Sequence, residues 1–480
     1  MIRTNALRLL PILLASVFAT SAARATPTLI AIGTLNGTTD LSGLTGTLEN
    51  GLAGNVLGGI GSGLAWAGGN TFIATPDRGP NATPYNAGVD DTTSYIARFQ
   101  TLNFALTAAP GGALPYTLTP TLTGTTLLSS PTALTYGSGA GLGLPNGAPP
   151  INTAVANYFT GRSDNFDPGK TSTNRNNGRL DPEGVRVSRD GKSVFISDEY
   201  GPYVYQFDRA TGQRIKSFAL PANLAISNLS AKGDVEIAGN TTGRVTNKGM
   251  EGLAITPDGT MLVGIMQAPL EQDKNKVVRI VTIDIASGVT HKYAYLLTTG
   301  SGVSEIVAIN NHEFLVDERD GKGLGDGSVA VVKQLFRINL TGATDVGGLS
   351  GSAADQIALK AAAVPKSLVM DLVNLLNANG IASDQIPSKI EGLAFGNDLM
   401  IGGALQHTLF VANDNDFVPG TAGGNKFFVF ALSDADLAAA FSPQQVPEPQ
   451  SLGLMLLGLG AIGFVSRRKA QGRAYGASQR

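Results

Sequence analysis

Residues 179–202 read RLDPEGVRVSRDGKSVFISDEYGP. Two short runs rich in β-branched and apolar residues, 184–187 and 193–197, flank the turn pair Asp190-Gly191, a pattern that predicts a β-hairpin. Acids bracket it, with Asp181 and Glu183 where the first strand begins and Asp198-Glu199 where the second ends. The same frame returns as MEGLAITPDGTMLVGIMQAP (250–269), with Glu251 at its start and Asp258-Gly259 at its turn. It returns as VSEIVAINNHEFLVDERDG (303–321), with Glu305, the turn Asn310-Asn311, and Asp317-Glu318-Arg319 at the exit. A further copy, 390–417, carries Glu391 at its start and Asp414 and Asp416 at its end. A worn first copy, SGLAWAGGNTFIATPDRGP (62–80), has Ser62 in place of the glutamate and closes on Asp77-Arg78.

A lone hairpin cannot bury its faces in water, so the copies must stack. Radial stacking predicts an all-β chain folded as a β-propeller, and the irregular spacing between copies, read as outer strands and insertions, leads us to expect six or seven blades. Insertions are expected at about 101–178, rich in Gly, Pro, Thr and Asn, and at 352–380, where helices broken at Pro365 stop at Gly380. A two-sheet sandwich is the alternative, but it predicts no such repeat.

The two ends read differently from this body. Arg3 and Arg8, an apolar run and Ala23-Arg24-Ala25 form a secretory signal peptide over 1–25, leaving a propeller domain over 26–440. At the other end, 446–470 holds Val446-Pro447-Glu448-Pro449, an apolar run (451–465) expected to form a short transmembrane helix, and the cluster Arg467-Arg468-Lys469, followed by a polar tail over 471–480. The run is shorter than the roughly 20 residues a bilayer usually needs. This tripartite tail resembles the PEP-CTERM sorting signal of Gram-negative bacteria. The resemblance implies exosortase-type sorting machinery as a partner and an exported protein of the cell envelope or extracellular space, transiently anchored in the membrane.

Composition excludes several chemistries. Without the three basic residues of the leader and the five basic and one acidic of the tail, 35 basic and 37 acidic residues become 27 and 36, a net charge of about −9. Such a body suits cations and argues against nucleic acid as a partner. Cysteine is absent, so neither disulfides nor thiolate metal sites can form. The three histidines, His291, His312 and His407, fit no H-E-x-x-H frame, and no G-x-S-x-G elbow appears. The stretch from Asp164 to Thr171 ends like a phosphate-binding loop but lacks its first glycine and reads as a polar loop.

In a propeller, equivalent positions of successive blades converge on the axis. Glu183, Glu251, Glu305 and Glu391 are therefore expected to ring one mouth of the channel, where crowded carboxylates repel unless protonated or bound to a cation such as Ca²⁺. Glu183 and Glu251 are the candidate general bases. The exit residues Asp77, Arg78, Asp198, Glu199, Asp317, Glu318, Arg319, Asp414 and Asp416 are candidates for substrate or supporting contacts. The plainer reading is that exit acids are solvated turn residues and that entrance glutamates lock backbone amides of the next blade.

The runs LDPEGVRVSRDGKSVFISDEYGPYVYQFD, NKGMEGLAITPDGTMLVGIMQAPLEQD and KIEGLAFGNDL with HTLFVANDNDF resemble the phytase-like family, whose label is esterase-like activity of phytase. The resemblance spans most of 30–432. It implies a β-propeller and, through the label, a Ca²⁺-dependent hydrolase of small phosphoester or carboxylic ester substrates. The family's blocks fall on Glu183, Asp198, Glu199, Glu251, Gln267, Glu305, Glu391, Asp414 and Asp416. Two rivals stand beside it: a non-enzymatic propeller that binds exopolysaccharide or another envelope component around structural calcium, and a lactonase-like propeller with similar axial acids.

Overall fold

The computed structural model describes residues 26–82, 92–138, 146–167, 173–230 and 232–447. The expected leader over 1–25, the apolar run and basic cluster of the tail, and residues 168–171 of the Asp164–Thr171 loop lie outside the described residues. Among those described, no helix is long and apolar enough to cross a membrane.

Each of the five sequence copies opens one antiparallel sheet, four-stranded in the first four blades and five-stranded in the fifth, where the short strand Leu399–Ile401 also pairs with Ala404–Asn413. The first blade runs Gly63–Trp66, Thr71–Thr75, Arg98–Ala108 and Tyr116–Leu127, and the second Pro182–Val187, Ser193–Asp198, Tyr203–Asp208 and Arg214–Ala219. The third runs Met250–Ile255, Met261–Met266, Val277–Asp284 and Thr290–Leu296, and the fourth Gly302–Ala308, Glu313–Arg319, Lys333–Asn339 and Lys366–Asp371. The fifth is built from Ile390–Phe395, Ala404–Asn413 and Asn425–Leu432, and its outer strand is the N-terminal Thr28–Leu35, so the two ends of the domain close the ring by strand pairing. The inner strands contact one another in cyclic order, first through fifth and back to first.

The propeller therefore has five blades, not six or seven. The long spacings that suggested more are consumed within blades. Strands Arg98–Ala108 and Tyr116–Leu127 are the outer pair of the first blade, so the expected insertion at 101–178 begins only after them. In the 352–380 stretch, helices Ala353–Ala361 and Leu372–Ala378 flank Lys366–Asp371, which is the outer strand of the fourth blade. Gly380 ends the second helix with φ of 81°, the left-handed conformation that glycine adopts at lowest cost.

The hairpin turns explain themselves locally. Asp190 Oδ1 accepts from Lys192 N (3.1 Å) and Ser188 Oγ (2.6 Å), and Asp258 Oδ1 likewise from Thr260 N (3.1 Å) and Thr256 Oγ1 (2.6 Å). The apolar core lies between neighbouring sheets: Leu253 and Met250 pack with Phe195 and Val204 of the second blade, while Ile265 and Val263 pack with Ile306 and Phe314 of the fourth. Burying each such side chain contributes about 1.5–3 kcal/mol.

Candidate functional site: a charged pocket at one mouth of the channel

The starts of the inner strands and the ends of the second strands lie at the same end of each hairpin, so entrance and exit residues meet at one mouth. There a cavity of about 240 Å³ is lined by the acids Asp77, Glu183, Glu199, Glu251, Glu391 and Asp414 and by the cations Arg78, Lys248, Arg319 and Lys389, with Asn247 and Gln267 among the neutral residues.

A β-bulge aims the glutamates into it. Strand register slips between Pro182 and Val185, between Met250 and Gly252, and between Ile390 and Leu393, leaving Glu183, Glu251 and Glu391 outside the paired ladder. An unpaired bulge residue is re-aimed and its strand bent. The glycine after each glutamate is needed for packing: a Cβ on Gly184 would stand 2.5 Å from Leu253 N in the next blade.

The fourth blade corrects the expected ring. Met250 pairs with Met266 and Gly252 with Ile265, whereas Val303 pairs with Glu318 and Glu305 with Asp317. The bulge position filled by Glu251 is thus filled in the fourth blade by Ser304, and Glu305 stands where the others have glycine. This one-residue slip turns its side chain away from the mouth. Glu305 Oε1 accepts from Leu253 N and Ile306 N, both at 2.9 Å, and Oε2 lies 3.0 Å from Arg186 Nη2. Arg186 itself crosses the channel, donating to Leu64 O (2.7 Å) of the first blade and Ile306 O (2.8 Å) of the fourth. The pair plugs the axis below the pocket; this glutamate is the backbone lock of the plainer reading.

The exit residues also divide. Glu318 is fully buried away from the cavity, its Oε1 accepting from Tyr295 Oη (2.6 Å) and paired with Lys366, its Oε2 accepting from the amides of Thr298, Thr299 and Gly300. Asp317 accepts from Ser304 Oγ (3.2 Å), and Asp198 caps the amides of Asp181 and Tyr200, both at 3.1 Å. These three support the wall rather than line it. Lining residues are held more directly: Gln267 Nε2 donates to Glu251 Oε1 (2.8 Å), Glu199 Oε1 accepts from Gly249 N (2.8 Å), and Arg319 pairs with Glu391 and stands 3.7 Å from Glu251. Lys389 bridges Asp414 (3.0 Å) and Asp416.

Burial pushes the Glu251 carboxyl up to about 8, reinforced by Glu391, and Glu199 up to about 8, reinforced by Glu251. Burial, then Glu251, raises Glu183 well above the usual carboxylate range, and burial alone is the main cause that lifts Asp77 to about 7. Two groupings have oxygens within 4.8 Å of one another: Asp181, Glu183 and Glu199, and Asp77, Asp414 and Asp416. The second already contains the Lys389 ammonium, and in the first Asp181 Oδ2 is paired with Arg78 Nη1 at 3.1 Å, which leaves Glu183 and Glu199 to be matched. The Glu183 residue is only 6 % exposed, its side chain lines the cavity, and among the described residues its carboxylate makes no hydrogen bond or ion pair. An all-oxygen set with such an unmatched buried carboxylate fits a hard divalent cation.

The sequence reading omitted Asp181 and Lys389 from the candidate site, as well as Lys248 and Asn247. A signal existed for the first two: each precedes its glutamate by two residues, in Asp181-Pro-Glu183 and Lys389-Ile-Glu391, and a spacing of two returns to the same face of an extended chain.

Fold and site together define a five-bladed β-propeller with an acid-rich, partly charge-compensated pocket at one mouth. The model of the phytase-like family, described as esterase-like activity of phytase, matches residues 55–417, and the chain belongs to this family. Residues 445–469 match the PEP-CTERM protein-sorting motif, which implies recognition by exosortase-type machinery. A curated relative, an uncharacterized secreted protein of Arthroderma benhamiae, is 30% identical over 305 residues, covering 54% of each chain. The chain thus spans about half the length of the curated relative it matches; that relative and the sorting motif support export. Among solved structures, hydrazine synthase of Kuenenia stuttgartiensis is similar at 13% identity over 75% of this chain and 78% of that one, with a TM-score of 0.31. A putative 6-phosphogluconolactonase from Bacteroides uniformis is similar at 11% identity over 83% and 94%, with a TM-score of 0.29.

Proposed function

We propose that the protein is an exported, Ca²⁺-dependent hydrolase of small phosphoester or carboxylic ester substrates, acting in the mouth pocket. The observation that carries this reading is the convergence of Asp181, Glu183 and Glu199 within 4.8 Å beside a cavity that also presents Arg78, Lys248, Arg319 and Lys389. Asp181, Glu183 and Glu199 would hold the ion, which when bound supplies positive charge beside substrate oxygens and makes a bound water more acidic. Lys248 and Arg319 attract the substrate's anionic group, the guanidinium offering a bidentate fork. Glu251, oriented by Gln267 and titrating near 8, exchanges a proton with water or leaving group close to the working pH. Below the pocket the Arg186–Glu305 plug closes the channel, so substrate and product use the same mouth.

The test is hydrolysis of nitrophenyl phosphates, phytate and short acyl nitrophenyl esters by the purified protein, with and without EGTA. Turnover of one class, abolished by chelator and restored by CaCl₂, is the expected result. Silence on every substrate, together with a melting temperature that responds to chelator, would replace this reading by the envelope-binding propeller, which the sorting motif favours.

A further inference from the structure

The end of the described chain does not leave the propeller at random. After the last blade strand and the short helix Asp434–Leu437, Ala438 turns the backbone at φ of 49° and residues 438–446 run across the face opposite the pocket. There Asn310 Nδ2 donates to Ala440 O (3.1 Å), Ser442 N to Ile309 O (2.9 Å), and Gln444 Nε2 to Val187 O (2.6 Å). The Phe441 ring lies 4.6 Å from Phe395 and 4.3 Å from His407. Val446, 7% exposed, joins the cluster of Val187 and Val194. All these partners sit at the ends of inner strands, in the hairpin turns or near the starts of second strands, the far end from Glu183, Glu251 and Glu391. The strap also roofs a small apolar cavity of about 50 Å³ with Phe441, Pro443 and Gln444.

We infer that this strap makes the far face of the propeller the membrane-docking face: the apolar run 451–465 engages a bilayer from there, and the charged mouth looks away from it. Reach decides the point. Four residues, 447–450, lie between Val446 and Ser451, a span of five Cα steps and at most about 18 Å when fully extended. Crossing from the far face to the mouth requires the length of a six-residue strand, about 20 Å, in addition to the loops and the lateral path around a blade. While the strap is seated, the run must therefore begin on the far side of the propeller rather than at the mouth. Arg467, Arg468 and Lys469 then meet anionic headgroups beneath the far face.

The chain contains no cysteine, which allows single reporters. Cysteines introduced by Thr260→Cys, in an exposed far-face turn, and Lys322→Cys, exposed beside the mouth, are labelled with a fluorophore on the chain carrying its tail. The proteins are bound to vesicles of phosphatidylethanolamine and phosphatidylglycerol that carry a lipid quencher. Several-fold stronger quenching at position 260 than at 322 is expected. Equal quenching, stronger quenching at 322, or no vesicle binding would overturn the inference. A Phe441→Ala/Gln444→Ala variant that keeps the native circular-dichroism spectrum should bring the two positions towards parity; an unchanged difference would show that the strap does not set the orientation.

Discussion

The third and fourth blades open almost alike, Met250-Glu251-Gly252-Leu253 and Val303-Ser304-Glu305-Ile306, and use their glutamate in opposite ways. Glu251 stands in the bulge, faces a solvent-reached cavity, and touches Gln267 and Arg319. Glu305 is fully buried, one position later, and ties Arg186 to two amides across the axis. What separates a candidate proton carrier from a structural lock is one residue of register. Where glycine follows the glutamate, neighbouring inner strands press together; where glutamate replaces that glycine, the side chain must fill the channel.

The largest effect expected from this contrast is on turnover. Glu251→Gln or Glu183→Gln should lower kcat by on the order of 10²–10⁴-fold, the usual contribution of a positioned acid or base, with melting temperature preserved or raised because a repelling charge is removed. Full turnover in a folded Glu251→Gln protein would erase the distinction. Glu305→Ala should do the reverse. Leaving Arg186 charged, buried and unmatched costs about 3–5 kcal/mol, read by denaturant unfolding, while kcat of the folded fraction stays near wild type. The double variant Arg186→Met/Glu305→Leu should recover most of that stability, since apolar replacements of a buried pair are often neutral.

This contrast also marks how far the sequence could be read. Alternating strands, Asp-Gly turns and recurrent glutamates made the propeller and its mouth legible, because each is a local pattern repeated. Blade number was not, since an outer strand such as Tyr116–Leu127, TLTPTLTGTT within it, has the same Thr, Gly and Pro content as a loop insertion. Nor was the placement of Glu305: aligning by letter puts it with Glu251, and only the pairing of Val303 with Glu318 shows that Ser304 holds the bulge. The cations were the weakest signal. Lys389 and Lys248 lie in different loops, and nothing local states that they face the same cavity.

A third effect, smaller, concerns pH. In chelator, the raised carboxyls keep their protons in the folded chain at a pH where the unfolded chain has lost them, from about 4.5 to about 8 for Glu251 and from 3.8 to about 7 for Asp77. The folded state then holds more protons than the unfolded, so stability falls as pH rises through that window. The melting temperature should drop by a few degrees between about pH 5 and pH 9, and CaCl₂ should restore it at the alkaline end, where the carboxylates are free to bind. In the Glu183→Gln protein the calcium response should shrink. A melting curve indifferent to both pH and calcium would remove the electrostatic distinction between mouth and axis.

The smallest effect belongs to the rim. Lys248 is exposed and lines the cavity, and among the described residues its ammonium makes no hydrogen bond or ion pair. Exposed charges are worth about 0–1 kcal/mol, so Lys248→Ala should raise KM for an anionic substrate by no more than about fivefold and leave kcat alone. The change should fade in high salt, as screening of a solvated charge requires. Arg319 differs, being mostly shielded, its side chain 11% exposed, and held between Glu391 and Glu251: its replacement by Lys keeps the charge but loses the planar fork, and should lower kcat as well as affinity at any salt concentration. If Lys248→Ala left KM unchanged at every salt concentration, Lys248 would be a bystander and Arg319 the cation that meets substrate.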